Sequence, residues 1–167
     1  MITPRHHRAA SPYATGIRTH SLCRQFTLDG LAGAPIADIL FAWDEHHGSW
    51  LANGPIIVRL ETCDLAVAQM HCDRPSLLVG SIDTETPLDS RWVHQAAHAP
   101  KDSPILWKSY RPLSQVIGKH VDLVSVSAND QERKLSIRFS LEDGDALEIA
   151  NLNGRVIAET AERPHAA

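Results

Sequence analysis

Cysteine is scarce in this chain and so are aromatic rings: three cysteines and an aromatic share of 5% in 167 residues. Cys23, Cys63 and Cys72 are too few for a disulfide framework, and with no signal-peptide h-region they imply free thiols in a reducing cytoplasm. No apolar run reaches the roughly 20 residues that a spanning helix requires, so the reading is of a soluble chain without a membrane partner. The motifs of common chemistry are missing too. There is no G-x-S-x-G elbow, no G-x-x-x-x-G-K-[ST] phosphate loop and no G-x-G-x-x-G turn, which excludes the standard hydrolase and nucleotide sites. Cys63, His71 and Cys72 fit no C-x-x-C spacing, and buried, inert cysteines are expected. Finally, the first 28 residues contain no acid, only Arg5, Arg8, Arg18 and Arg24.

What is present is alternation. In Leu135-Ser136-Ile137-Arg138-Phe139-Ser140-Leu141 every second residue is apolar, the signature of a half-buried strand. Leu147 and Ile149 must share a face with Phe139 and Ile137, because a slip of one residue would turn them to water. That condition pairs Leu141 with Asp145, Phe139 with Leu147 and Ile137 with Ile149, leaving Glu142-Asp143-Gly144 as the loop with Gly144 at its left-handed position. Val121 to Ala128 precedes this hairpin as a strand, and Val156-Ile157-Ala158 follows it after the turn Asn151-Leu152-Asn153-Gly154. The expectation is a three- or four-stranded antiparallel meander.

Upstream, Arg18 to Leu28 reads as a first strand closed by Asp29-Gly30. Ile36 to Trp43 reads as a strand covered on both sides, with Ile39, Phe41 and Trp43 on one face and Ile36, Asp38, Leu40 and Ala42 on the other. Trp43 to Leu60 resembles a second hairpin. Leu65 to Met70 carries no decisive period and is assigned as a strand from its neighbours; Leu77 to Ile82 is another. Thr86-Pro87-Leu88-Asp89 has the marks of a helix start, and Leu88, Trp92 and Ala96 fall at i, i+4 and i+8, so a helix is expected over 87–98. Leu113, Val116 and Ile117 with Gly118 suggest a further helical turn. The fold class is therefore mainly β (α+β): an antiparallel sheet or partly closed barrel or roll, one helix near 87–98, and a C-terminal meander. The domain spans 13–160, between a disordered basic tail over 1–12 and a second tail over 161–167.

Two clusters are candidates for chemistry. Trp43, Asp44, Glu45, His46, His47 and Trp50 concentrate two acids and two imidazoles at a turn flanked by indoles. Such a tip is suited to contacting a protein, since Trp carries binding energy well near a surface, and it also has the groups of an acid/base pair or a metal site. His94 and His98, four apart on the expected helix, are a candidate pair of metal ligands, but His94-Gln95-Ala96-Ala97-His98 lacks the Glu of H-E-x-x-H. No cofactor is implied.

Charge points to the class of partner. Residues 29–167 hold all twenty acids against twelve of the sixteen Lys and Arg. An acidic body is unsuited to nucleic acid and favours encounter with a basic protein. Pro112-Leu113-Ser114-Gln115-Val116-Ile117-Gly118-Lys119, ahead of Leu135-x-Ile137-x-Phe139 and Asp143-Gly144-x-x-Leu147-x-Ile149-x-Asn151, loosely resembles small bacterial domains of unknown function. Some of those look similar to immunity proteins of toxin systems. The likeness covers under a quarter of the chain and carries no functional residue. Two functions are therefore expected in order: a non-enzymatic inhibitor or immunity-type domain that binds a basic protein, or a β-barrel that binds a small molecule or metal, with hydrolytic chemistry at its histidines.

Overall fold

In a computed structural model of the chain, which describes residues 24–70, 74–129, 132–152 and 155–161, two antiparallel sheets lie face to face. One sheet is the meander extended by one strand. β1 (Arg24–Thr27) pairs with β8 (Val121–Asn129), which continues through β9 (Lys134–Leu141) and β10 (Ala146–Leu152) to β11 (Arg155–Ala161). The second sheet is centred on β2 (Ile36–Asp44) and β4 (Ile56–Leu60), followed by β5 (Asp64–Met70) and β6 (Arg74–Gly80). The two-residue β3 (Ser49–Trp50) continues the β4 side of β2, and β7 (Ile105–Ser109) pairs with its other edge.

The hairpin register is the one that burial demands. Phe139 faces Leu147 and Ile137 faces Ile149, and all four are at most 1% exposed. The Leu141 N–H donates to Asp145 O at 2.9 Å, and Gly144 takes φ +91°. Lys119 ties the hairpin loop to the segment before β8, its Nζ lying 2.6 Å from Asp143 Oδ2 and 2.7 Å from Asp145 Oδ2.

Between the sheets, Ile56, Val58, Leu65 and Val67 of the second sheet join Val124, Val126, Ile137, Phe139, Leu147 and Ile149 of the first in one core. The other face of the second sheet is covered as well: Leu40, Ala42, Ile57, Ala66 and Trp107 pack against Leu88, Trp92, Val93 and Ala96 of the excursion over 81–104. Strand β2 is thus buried on both faces, as its apolar run suggests. Ile36 is the one displaced member. An irregularity between Ile36 and Asp38 shifts the register, and Ile36 enters the inter-sheet core with Ile39 instead of joining Leu40 on the opposite face.

The structure differs from the sequence reading in detail. The helix over 87–98 reduces to a 3-10 turn, His94–His98. A short acid competes with helical bonding there: Asp89 Oδ1 accepts the N–H of Arg91, which an α-helix would direct to Pro87 O. Leu88 is instead docked onto the sheet, its N–H donating to Ile105 O at 2.8 Å. Of the two architectures expected, the open sheet is the one present: the described strands form two layers that do not close into a barrel. Ile105–Ser109, to which the sequence pattern assigns no element, forms a strand. The tail over 1–12, residues 18–23 of the expected first strand, and 162–167 lie outside the described residues, while Ala161, assigned to the second tail, ends β11. Among the described residues no helix is long and apolar enough to cross a membrane.

Candidate functional site

On the inner face of β2 the side chains grow larger and less buried toward the turn. Ile39 is 1% exposed, Phe41 is partly buried against the inter-sheet core, and Trp43 is half-buried at the end of the strand. The β2–β3 ladder sets Trp43 opposite Trp50, with ring centroids 4.9 Å apart at 79°. Cross-strand aromatic pairs in this edge-to-face arrangement hold each other rigidly and strengthen the turn. Tyr110, just beyond β7, completes the group: it stacks on Phe41 at 4.0 Å and meets Trp50 edge-on at 5.2 Å. Its N–H donates to Ile39 O at 2.8 Å, which fixes the ring against β2. Phe41, Trp43, Trp50 and Tyr110 therefore form a continuous aromatic surface, each ring partly open to water.

Polar groups brace this surface. Asp44 Oδ1 accepts the N–H groups of His46 and His47 at 2.9 and 3.1 Å, so the aspartate shapes the turn, and Gly48 turns the chain back at φ +61°. The second oxygen, Oδ2, lies 2.7 Å from His47 Nδ1. That contact, with the two amides, holds the Asp44 carboxyl below the ordinary carboxylate value. Lys108 on β7 reaches across β2: its Nζ stands 4.6 Å from the Trp43 ring centre and 2.6 Å from Glu45 Oε1.

All six residues of the tip read from the sequence are thus brought together, with Glu45, His46 and His47 exposed and Trp43, Asp44 and Trp50 half-buried. Phe41 lies on the face already assigned to Trp43, but Tyr110 and Lys108 come from a strand some sixty residues away, and no local pattern identifies them. The Asp44–His47 contact has the composition of an acid/base pair. It stands in the open, however, with the His47 side chain 70% exposed, and lacks the enclosed, water-poor setting in which such a pair gains catalytic power.

His94 and His98 begin and end the 3-10 turn. His98 is exposed, and among the described residues no three or more His, Cys, Asp or Glu side chains cluster as a metal site would require. Cys63 is a partly buried thiol packed against the inter-sheet core, and burial pushes its pKa up, away from the reactive thiolate. Cys23, His71 and Cys72 lie outside the described residues. The chain matches no protein-family model, no curated protein and no solved structure.

Proposed function

We propose that this chain is a non-enzymatic recognition domain, an inhibitor or immunity-type protein of a bacterial cytoplasm, and that it binds a basic protein through the tip carrying Trp43, Asp44, Glu45, His46, His47 and Trp50. One observation carries the reading: four partly exposed rings, interlocked at 4.0 to 6.1 Å, crown the edge of a rigid sandwich beside two carboxylates. Preorganised Trp and Tyr side chains lose little conformational entropy on binding, and a core of aromatic anchors rimmed by charge is the usual anatomy of an interface hot spot. Asp44 and Glu45 against Lys108 leave this edge one unit negative, in keeping with the acidic balance of residues 29–167. That sign speeds encounter with a basic partner and disfavours a phosphate backbone. The unpaired Cys63 is consistent with a reducing compartment.

The test is affinity capture from the source cell with the wild-type chain and Trp50→Ala as parallel baits. The reading expects one protein of high isoelectric point, retained by the wild type and reduced roughly 30-fold in affinity by the substitution, about 2 kcal/mol. Glu45→Gln should slow association and flatten its salt dependence while leaving dissociation nearly unchanged. Equal recovery of every protein by the wild type and Trp50→Ala would reject the tip as the contact.

A further inference from the structure

The opposite face of the second sheet holds a cavity of about 180 Å³ between the sheet and the 81–104 excursion. Its walls are two indoles. Trp107 rises from β7, 8% exposed, and Trp92 approaches from the excursion, with ring centroids 5.2 Å apart at 90°. Leu78 and Ile82 add to its apolar side, and Ser81, Asp83, Thr86, Asp89 and Arg91 form a polar side.

The charges have unequal partners. Asp89 is answered by Arg91, whose Nε donates to its Oδ2 at 2.7 Å. Asp83 is held by neutral donors: the Thr86 hydroxyl at 2.9 Å and the N–H groups of Glu85 and Thr86. The Thr86 hydrogen bond keeps the Asp83 carboxyl below its usual pKa, so it is ionised at neutral pH. The lining therefore carries one negative charge in excess beside two perpendicular aromatic walls. An anion is disfavoured there. A primary ammonium set against the side chains of Leu78, Ile82, Trp92 and Trp107 would find no acceptor there for the N–H groups it turns away from Asp83. A methylated ammonium has fewer N–H groups or none to satisfy, presents apolar methyls to the indoles, and is attracted both by their ring faces and by Asp83. The volume is below the roughly 300–1,000 Å³ of drug-sized sites, which selects a compact group.

The cavity is also held in shape. Asp64, 5% exposed on β5, accepts from Arg59 Nε and from the Ile82 N–H, both at 2.9 Å, while Arg59 Nη2 donates to the Thr84 hydroxyl at 2.9 Å. This clamp holds Ile82 by its backbone N–H and Thr84 by its hydroxyl, on either side of Asp83.

We propose that the cavity is a binding site for a methylated ammonium group, the chemistry shared by choline and the trimethyllysine side chain. The site is independent of the aromatic tip, since Trp107 faces Ala42 across the ladder, whereas Trp43 projects from the other face of β2.

The test is titration of the full chain with choline, with N-acetyl-trimethyllysine amide, and with 3,3-dimethylbutan-1-ol, a neutral molecule of choline's shape, observing the indole N–H resonances. Either cation should shift the Trp92 and Trp107 signals saturably and bind about tenfold more tightly than the neutral alcohol. Tighter binding of choline marks a free metabolite as the source, and tighter binding of the amide marks a modified protein. Trp92→Ala and Asp83→Asn should each weaken the cation by about fivefold or more, and Asp83→Asn should leave the neutral alcohol unchanged. Trp107 is too buried to serve, and should Trp92→Ala fail to fold, Asp83→Asn alone decides. Equal affinity for cation and alcohol, or no saturable shift by about 10 mM, would overturn the assignment.

Discussion

Gly54 is a residue that tolerates no side chain. A Cβ there would stand 2.8 Å from the Ala42 Cβ and 3.1 Å from the Leu51 carbonyl, so two small residues let the segment before β4 close onto β2. Gly54→Ala should cost about 1–3 kcal/mol, read as a lower urea midpoint with unchanged slope. Asp64→Asn should cost about 2 kcal/mol; Arg59, one-third exposed, can hydrate when its partner is neutralised, which keeps the loss below that of a fully buried pair. Asp44, Asp83 and Asp143 have folded pKa values below their ordinary one, through bonds to His47, Thr86 and Lys119 respectively. A depressed folded pKa contributes stability that is fully present above the unfolded value, about 3.9, and is lost as pH falls through the folded one. Unfolding free energy should therefore fall below about pH 4, and Asp143→Asn should shrink that fall.

Among elements, the β9–β10 hairpin was legible down to its register because one face is core and the other water, and only one pairing buries Leu147 and Ile149. Its loop depends on Gly144 at φ +91°, and Gly144→Ala should destabilise by about 1–2 kcal/mol. The excursion over 81–104 misled for a physical reason. Its apolar spacing is helical, but Asp89 spends its side chain on the Arg91 amide, which a helix would otherwise use, and the chain lies on the sheet through Leu88 and Trp92. Apolar spacing alone does not distinguish a helix from a segment draped over a sheet. Being tied down by the Asp64 clamp and a few backbone bonds, the excursion should open before the sandwich does. Hydrogen exchange should show 81–104 exchanging faster than β8–β10, and Asp64→Ala should accelerate the excursion while leaving β8–β10 nearly unchanged.

At the scale of the molecule, a two-layer sandwich with an extra layer on one sheet carries two separated features: an aromatic edge where β2 leaves the core, and a cavity under the excursion. The edge was partly readable, since Trp43 and Trp50 flank a polar turn, but its other half arrives through β7, which pairs with β2 across more than sixty residues. The cavity was not readable, because its walls come from the end of β6, the excursion and β7, and only the fold assembles them. Location of contact tests the account most directly. A photocrosslinking amino acid placed at His46, exposed on the tip, and separately at Arg138, exposed on the outer face of the meander, samples two different surfaces. In the source cell the account predicts one dominant protein adduct from position 46, lost when Trp50→Ala is added, and none of that mass from position 138; the same adduct from both positions, or one that survives Trp50→Ala undiminished, would contradict it.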